Sequence, residues 1–163
     1  MKYKMAKFRM GWSMGPGKGE EVPFAANQYL NRQTGRFVKM INGRATLYTN
    51  ATPTGTAGGI FGWAHAPKDD SGKNGHKTSA DEKGFVYVGV ENKFWMPLDT
   101  ASASANATVV GAGASIKTAN ATYALTQKAY KVDTEASQML LIHDFDADND
   151  AVLVSIKPSA FMS

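Results

Sequence analysis

Two strand-like runs joined by Asn-Gly constrain this chain more tightly than any other feature of its sequence. Phe37-Val38-Lys39-Met40-Ile41 leads into Asn42-Gly43, and Arg44-Ala45-Thr46-Leu47-Tyr48 leads out. A two-residue hairpin connection needs positive φ at both central positions, which Asn and Gly tolerate best, so the pair predicts a tight antiparallel hairpin. Counting outward from the turn sets Met40 opposite Ala45 and Val38 opposite Leu47 on one face. Lys39 with Thr46 and Phe37 with Tyr48 fall on the other. One buried and one mostly wet face is the ordinary condition of an antiparallel hairpin over a core.

The rest of the chain behind residue 36 repeats this strand logic. After the linker TNATPTGTAGG, Ile60-Phe61-Gly62-Trp63-Ala64-His65 puts Phe61, Trp63 and His65 on one face and Ile60 with the small Gly62 and Ala64 on the other. Residues 66–84 have no apolar periodicity and read as an exposed, mobile polar loop. Phe85-Val86-Tyr87-Val88-Gly89-Val90 is the clearest strand, and the three residues before Phe94-Trp95-Met96-Pro97-Leu98 suggest a second hairpin. Val86, Val88 and Val90 share one face and Phe85 and Tyr87 the other, so this strand has no wet side. It is sandwiched between layers or lies at a subunit contact, and those three valines are the candidate oligomer contact. Thr100–Ala124 is rich in Ala, Ser, Thr, Gly and Asn, and the tripeptide Asn-Ala-Thr occurs at 50–52, 106–108 and 120–122, unequal spacings that make a bias rather than a repeat. Strand patterning returns at Lys128–Val132, Gln138–His143 and Ala151–Lys157. Seven to nine strands with no amphipathic helix longer than two turns predict an all-β fold, an antiparallel sandwich or barrel.

The leading segment differs in kind. Its first nineteen residues carry Lys2, Lys4, Lys7, Arg9 and Lys18 and no acidic residue; the whole chain is +4, so residues 20–163 sum to −1. Tyr3, Met5, Phe8, Met10, Trp12 and Met14 are interleaved with the charges, and four glycines and Pro16 crowd the end. Such a segment has too much turn chemistry for a stable helix, and its apolar groups need a cover. Residues 1–35 therefore read as a basic N-terminal arm, with one helical turn around Asn27–Leu30, and residues 36–163 as the β-domain. Lys2, Lys4, Lys7, Phe8, Arg9 and Trp12 are the candidate partner-binding residues. A pI near 9.2 raises nucleic acid as a partner, but the charge is confined to the arm and any acidic surface would attract it. The strands carry no RNP-type aromatic stripe, which argues against nucleic acid further.

The sequence displays no reaction machinery. Cysteine is absent, which removes disulfides and cysteine metal sites, and no apolar run nears the roughly 18 residues of a membrane span. No apolar stretch follows the basic start before Gly15-Pro16-Gly17, which argues against export by such a signal. The alternating aspartates of Asp144–Asp150 fit the first half of a calcium loop. Asn149 and Ser155 stand where the glycine and closing glutamate belong, so a solvated hairpin turn is the better reading and no metal site is assigned. His65, His76 and His143 have no ligand spacing and read as surface residues. Gly15–Gly19 lacks the spacing and Lys-Ser/Thr pair of a phosphate loop and reads as a flexible hinge. No G-x-S-x-G elbow supports a Ser–His–Asp arrangement across strands. The expectation is a protein that is not an enzyme and uses no cofactor.

In order and style of elements, residues 36–160 resemble the small auxiliary capsid proteins of tailed bacteriophages, the decoration or cement proteins. The residues that carry the resemblance are the Asn42-Gly43 hairpin, the small-residue strand ending Gly62-Trp63-Ala64, the Val/Tyr strand with Phe94-Trp95-Met96, the Ala/Ser/Thr-rich stretch and the final hairpin. The resemblance implies a homotrimer bound to the major capsid protein, with the basic arm gripping the shell and the β-body filling a gap between capsomers. It implies a place on the capsid exterior of the virion after assembly in the host cytoplasm, where a chain without cysteine is at home. The alternative is a carbohydrate- or receptor-binding β-sandwich, in which the 66–84 loop, Trp63 and Trp95 would meet ligand.

Overall fold

The computed structural model describes residues 11–31, 36–48, 59–64, 75–119, 126–133 and 138–161. Those residues form thirteen strands: β1 (Gly11–Met14), β2 (Gly19–Pro23), β3 (Tyr29–Asn31), β4 (Phe37–Ile41), β5 (Arg44–Leu47), β6 (Gly62–Ala64), β7 (Gly75–Lys77), β8 (Lys83–Val88), β9 (Lys93–Pro97), β10 (Gly113–Ala119), β11 (Thr126–Lys131), β12 (Leu140–Asp146) and β13 (Ala151–Ile156). Six build one sheet in the order β1-β9-β13-β12-β10-β11, five build a second in the order β2-β8-β6-β4-β5, and β3 and β7 pair by themselves. Every pairing between these strands is antiparallel. The two large sheets pack face to face as a sandwich, so the all-β expectation holds.

The Asn-Gly hairpin forms in the expected register, Val38 with Leu47, Lys39 with Thr46 and Met40 with Ala45. Asn42 and Gly43 take φ of 50° and 75°. Its second face is dry only at the aromatic end, Lys39 and Thr46 being half-buried and Ile41 and Arg44 exposed. Phe37 and Tyr48 are buried between the large sheets with Trp63, Phe94, Met96, Ile116, Leu140, Val152 and Val154. Val38, Ala45 and Leu47 point the other way, into a second core with Val22, Phe24, Leu30, Ala64 and Val86. The five-stranded sheet is thus covered on both sides, by the six-stranded sheet and by the 24–31 excursion that carries β3.

Several sequence expectations change. Among the described residues strands begin at Gly11, well before the residue-36 start expected for the β-domain, because β1 and β2 find partners in β9 and β8. Residues 1–10 and 32–35 of the expected arm lie outside the described residues. Asn27 adopts φ 62°, which turns the chain into β3 instead of a helical turn. Of the expected 66–84 loop, Gly75–Lys77 is a strand on β3 and Lys83-Gly84 opens β8, while 66–74 lies outside the described residues. Phe61 and Trp63 do not share a face: Phe61 and Gly62 both oppose Val38, a bulge that sends Trp63 into the first core and leaves Phe61 against the second. Most consequentially, β8 and β9 are not a hairpin. They belong to different sheets, and the chain turns a corner of the sandwich between them.

Candidate functional site: an open flank of the sandwich

The chain crosses from sheet to sheet twice, side by side. Gly15-Pro16-Gly17-Lys18 carries β1 of the six-stranded sheet into β2 of the five-stranded one, and Gly89–Asn92 carries β8 back into β9. Since β1 pairs with β9 and β2 with β8, the two crossings make one bent ribbon. Asn92 fixes the bend. Its side chain is fully buried, accepts a hydrogen bond from Gly17 N–H at 3.0 Å and donates one to the Val88 carbonyl at 3.2 Å. Gly15 sits at φ 118°, and a Cβ there would lie 2.7 Å from the Glu91 carbonyl oxygen. The expected flexible hinge is therefore a packed corner, glycine being required by its conformation and by close approach.

This flank holds two edge strands, β1 and the Gly19–Glu21 part of β2, whose far sides have no strand partner among the described residues; past Pro23 the chain closes onto β5. The opposite edges are covered. β5 is bridged by Phe24, with Ala25 N–H on the Ala45 carbonyl at 3.0 Å and Gln28 Oε1 accepting from Leu47 N–H at 2.8 Å. β11 is bridged by Leu98, with Asp99 N–H on the Ala129 carbonyl at 2.8 Å. On β2 the ladder fixes which groups look outward. Val88 N–H bonds the Lys18 carbonyl at 3.0 Å and Phe24 N–H the Glu82 carbonyl at 2.8 Å, so the even-numbered residues between them face β8. Gly19 and Glu21 turn both backbone groups away from the sheet, and Pro23 turns away a position with no N–H, its usual place on an edge.

The exposed side chains along β2 are acidic and aromatic, flanked at the two ends of its ladder by the exposed Lys18 and Lys83. Glu20 and Glu21 are exposed. Phe85, 39% exposed, rests on Gly19, where an added Cβ would collide with the Phe85 ring and the Val86 carbonyl oxygen. From Phe85 a row of rings leads inward: Tyr87 at 4.9 Å between centroids, then Trp63 at 5.9 Å from Tyr87, Phe94 at 5.8 Å from Trp63 and Phe37 at 5.6 Å from Phe94. The flank is thereby coupled to the rigid inter-sheet core.

The predicted contact residues divide. Lys2, Lys4, Lys7, Phe8 and Arg9 lie outside the described residues. Trp12 lies in β1, its backbone paired with Phe94. Val86 is fully buried in this chain's own second core, which removes it as an oligomer contact; Val88 and Val90 are half-buried. Trp63 is enclosed between the sheets, contrary to the exposed aromatic of the ligand-binding alternative, because it stacks on Phe94.

Polar clusters elsewhere serve structure first. His76 is buried, not a surface residue: its Nε2 lies 2.9 Å from both Glu82 carboxylate oxygens, and Glu82 also accepts from Ser79 N–H. His143 stands on a bulge in β12 with its Nε2 2.7 Å from Ser155 Oγ. Burial, and then the neighbouring Lys93 charge, hold the His143 imidazolium below its ordinary pKa. A neutral imidazole on a serine hydroxyl is two-thirds of a hydrolytic triad, but Asp144 accepts from Phe145 N–H, and no carboxylate orients the ring among the described residues. In the acidic turn, Asp146 accepts from the Asn149 backbone and side-chain amides at 3.0 Å each, the self-capping expected of a hairpin turn. No group of three or more His, Cys, Asp or Glu able to hold a metal occurs among the described residues. Arg36 is fully buried, and desolvation lowers its pKa to about 10.

Neither the buried His76 nor the open flank had a sequence signal. His76 lies in a run of polar residues, and an edge is defined only by which strands are its neighbours. Comparisons with protein-family models, with curated proteins and with solved structures found no match in any of the three.

Proposed function

We propose that this chain is a non-enzymatic structural protein that fastens to the outer surface of a protein shell, as the decoration proteins it resembles do, with a capsid protein as partner and a homotrimer as the bound form. The observation that carries this reading is the attachment of the basic, aromatic leading sequence to an edge strand. Gly11 opens β1, an edge strand of the six-stranded sheet, and Lys2, Lys4, Lys7, Phe8 and Arg9 directly precede it in the sequence. The carbohydrate- or receptor-binding alternative has less support, since Trp63 is enclosed and Gly75–Lys77 is committed to β7.

In this reading charge steers and aromatic area holds. An exposed ion pair contributes about 0–1 kcal/mol, whereas burying one large aromatic side chain contributes roughly 1.5–3 kcal/mol. Purified shells should gain thermal stability on adding the protein. Trp12→Ala should speed release more than Lys4→Ala, and raised salt should mainly slow association. Unchanged shell stability with no measurable binding would end the proposal.

A further inference from the structure

We propose that β2 is the acceptor edge for strand addition, and that its occupant is the basic leading sequence of a second copy of this chain. The inference rests on the reading of residues 2–10 as a docking segment and supplies one surface on which it docks.

The acceptor has the necessary features. β2 is the terminal strand of its sheet, and Gly19 and Glu21 present outward N–H and C=O groups that β8 does not use. An added strand would complete that ladder, the usual source of affinity in β-augmentation. The two sides of the edge differ. Glu20 and Val22 share one side, and Val22 is buried in the second core. Gly19 and Glu21 share the other, where the half-exposed Phe85 ring covers Gly19.

The occupant has the matching alternation. Lys2-Tyr3-Lys4-Met5 and Lys7-Phe8-Arg9-Met10 repeat one pattern, basic, aromatic, basic, methionine. As a strand, either repeat puts its two cations on one face and its aromatic and methionine on the other. In the register that sets the cations on the Glu20 side, the aromatic and methionine fall on the Phe85 side, with Glu21 at that margin. Pairing of β2 with β2 of another copy would instead bring Glu20 and Glu21 against like charges, which is destabilising. Charge thus selects the basic segment over the acidic edge itself.

Two variants of the full-length protein separate the backbone and charge contributions. In Glu21→Pro the lost N–H is one that points away from β8, so the fold should persist while strand addition is blocked. In the double variant Glu20→Lys, Glu21→Lys the edge repels the basic strand. Light scattering across a concentration series should show wild-type self-association, weakened by about ten-fold or more in either variant. Mixing the double variant with a Lys2→Glu, Lys4→Glu, Lys7→Glu, Arg9→Glu variant should restore association between the two. A wild-type protein that stays monomeric throughout, as it would if its own leading segment docked in cis, overturns the proposal. Association unaffected by the double variant overturns it too, and the double variant decides if Glu21→Pro fails to fold. Because shell binding is measured separately, the proposed function survives if only self-association fails.

Discussion

Gln127 illustrates how one side chain can join two sheets. From β11 its Oε1 accepts from Phe37 N–H, and its Nε2 donates to the Phe37 and Tyr48 carbonyls at 3.0 Å each. Phe37 and Tyr48 are the last pair of the β4–β5 hairpin, where Tyr48 N–H bonds the Phe37 carbonyl at 2.9 Å. The amide therefore continues the hairpin ladder with groups from the opposite sheet, and Thr118 Oγ1 adds a bond to the Tyr48 carbonyl at 3.0 Å. Gln127→Leu keeps the bulk but leaves the buried Phe37 N–H without its acceptor. A buried group orphaned in this way costs about 1–3 kcal/mol, and that loss is expected here, because the Phe37 carbonyl keeps Tyr48 N–H and the Tyr48 carbonyl keeps Thr118. Urea unfolding should show it as a lower midpoint at an unchanged slope. In the sequence Gln127 sits between Thr126 and Lys128 and resembles any exposed polar position.

Among the elements, the bent ribbon of β1-β2 and β8-β9 links the two sheets at the open flank. Its corner depends on Asn92, which satisfies Gly17 N–H and the Val88 carbonyl together from a fully buried position. Asn92→Ala removes both bonds and should cost about 2–4 kcal/mol by the same accounting. Amide exchange should quicken first at Gly17, because the corner opens before the sheets separate. Hydrogen exchange followed by mass spectrometry measures this, and uniform loss of protection across all strands would show that the corner is not a separate unit. The β4–β5 hairpin was fully legible in sequence because its register is set by a turn of two residues. The ribbon was not. Glu91-Asn92-Lys93 can close a hairpin or turn a corner, and the choice depends on whether β9 finds β8 or the remote β1 and β13.

For the whole molecule, acid should act in two stages. His143 has a lowered pKa in the fold, so the unfolded chain binds its proton first; this contribution is complete above the ordinary value of 6.5 and is lost as pH falls through the lowered one. Asp99 has its pKa lowered chiefly by the hydrogen bond from Lys117, at 2.9 Å, despite partial desolvation. Its contribution is complete above 3.8 and is lost as pH falls through its own lowered value. Unfolding free energy measured from neutral pH downward should decline first below about 6.5 and again below about 4. His143→Gln should remove the first decline and leave the second. An unaltered profile in that variant would assign the first decline to another group.

The sequence by itself determined the all-β class, the Asn-Gly hairpin with its register, the acidic turn of the β12–β13 hairpin and the charge asymmetry of the leading segment. Each is a local quantity, carried by residues within a few positions of one another or by composition alone. Only the tertiary structure decided that β1 and β2 belong to the body, that Val86 faces an internal core and that Trp63 is covered. It also decided that two of the four edges of the large sheets have no strand partner along their length among the described residues. These depend on partners far apart in the chain, as Gly19 is from its strand partner Tyr87, Trp12 from its strand partner Phe94, and Phe37 from the Gln127 side chain of the opposite sheet. Burial and edge exposure belong to the pairing between such strands, and alternation within one strand specifies two faces without saying what covers either of them.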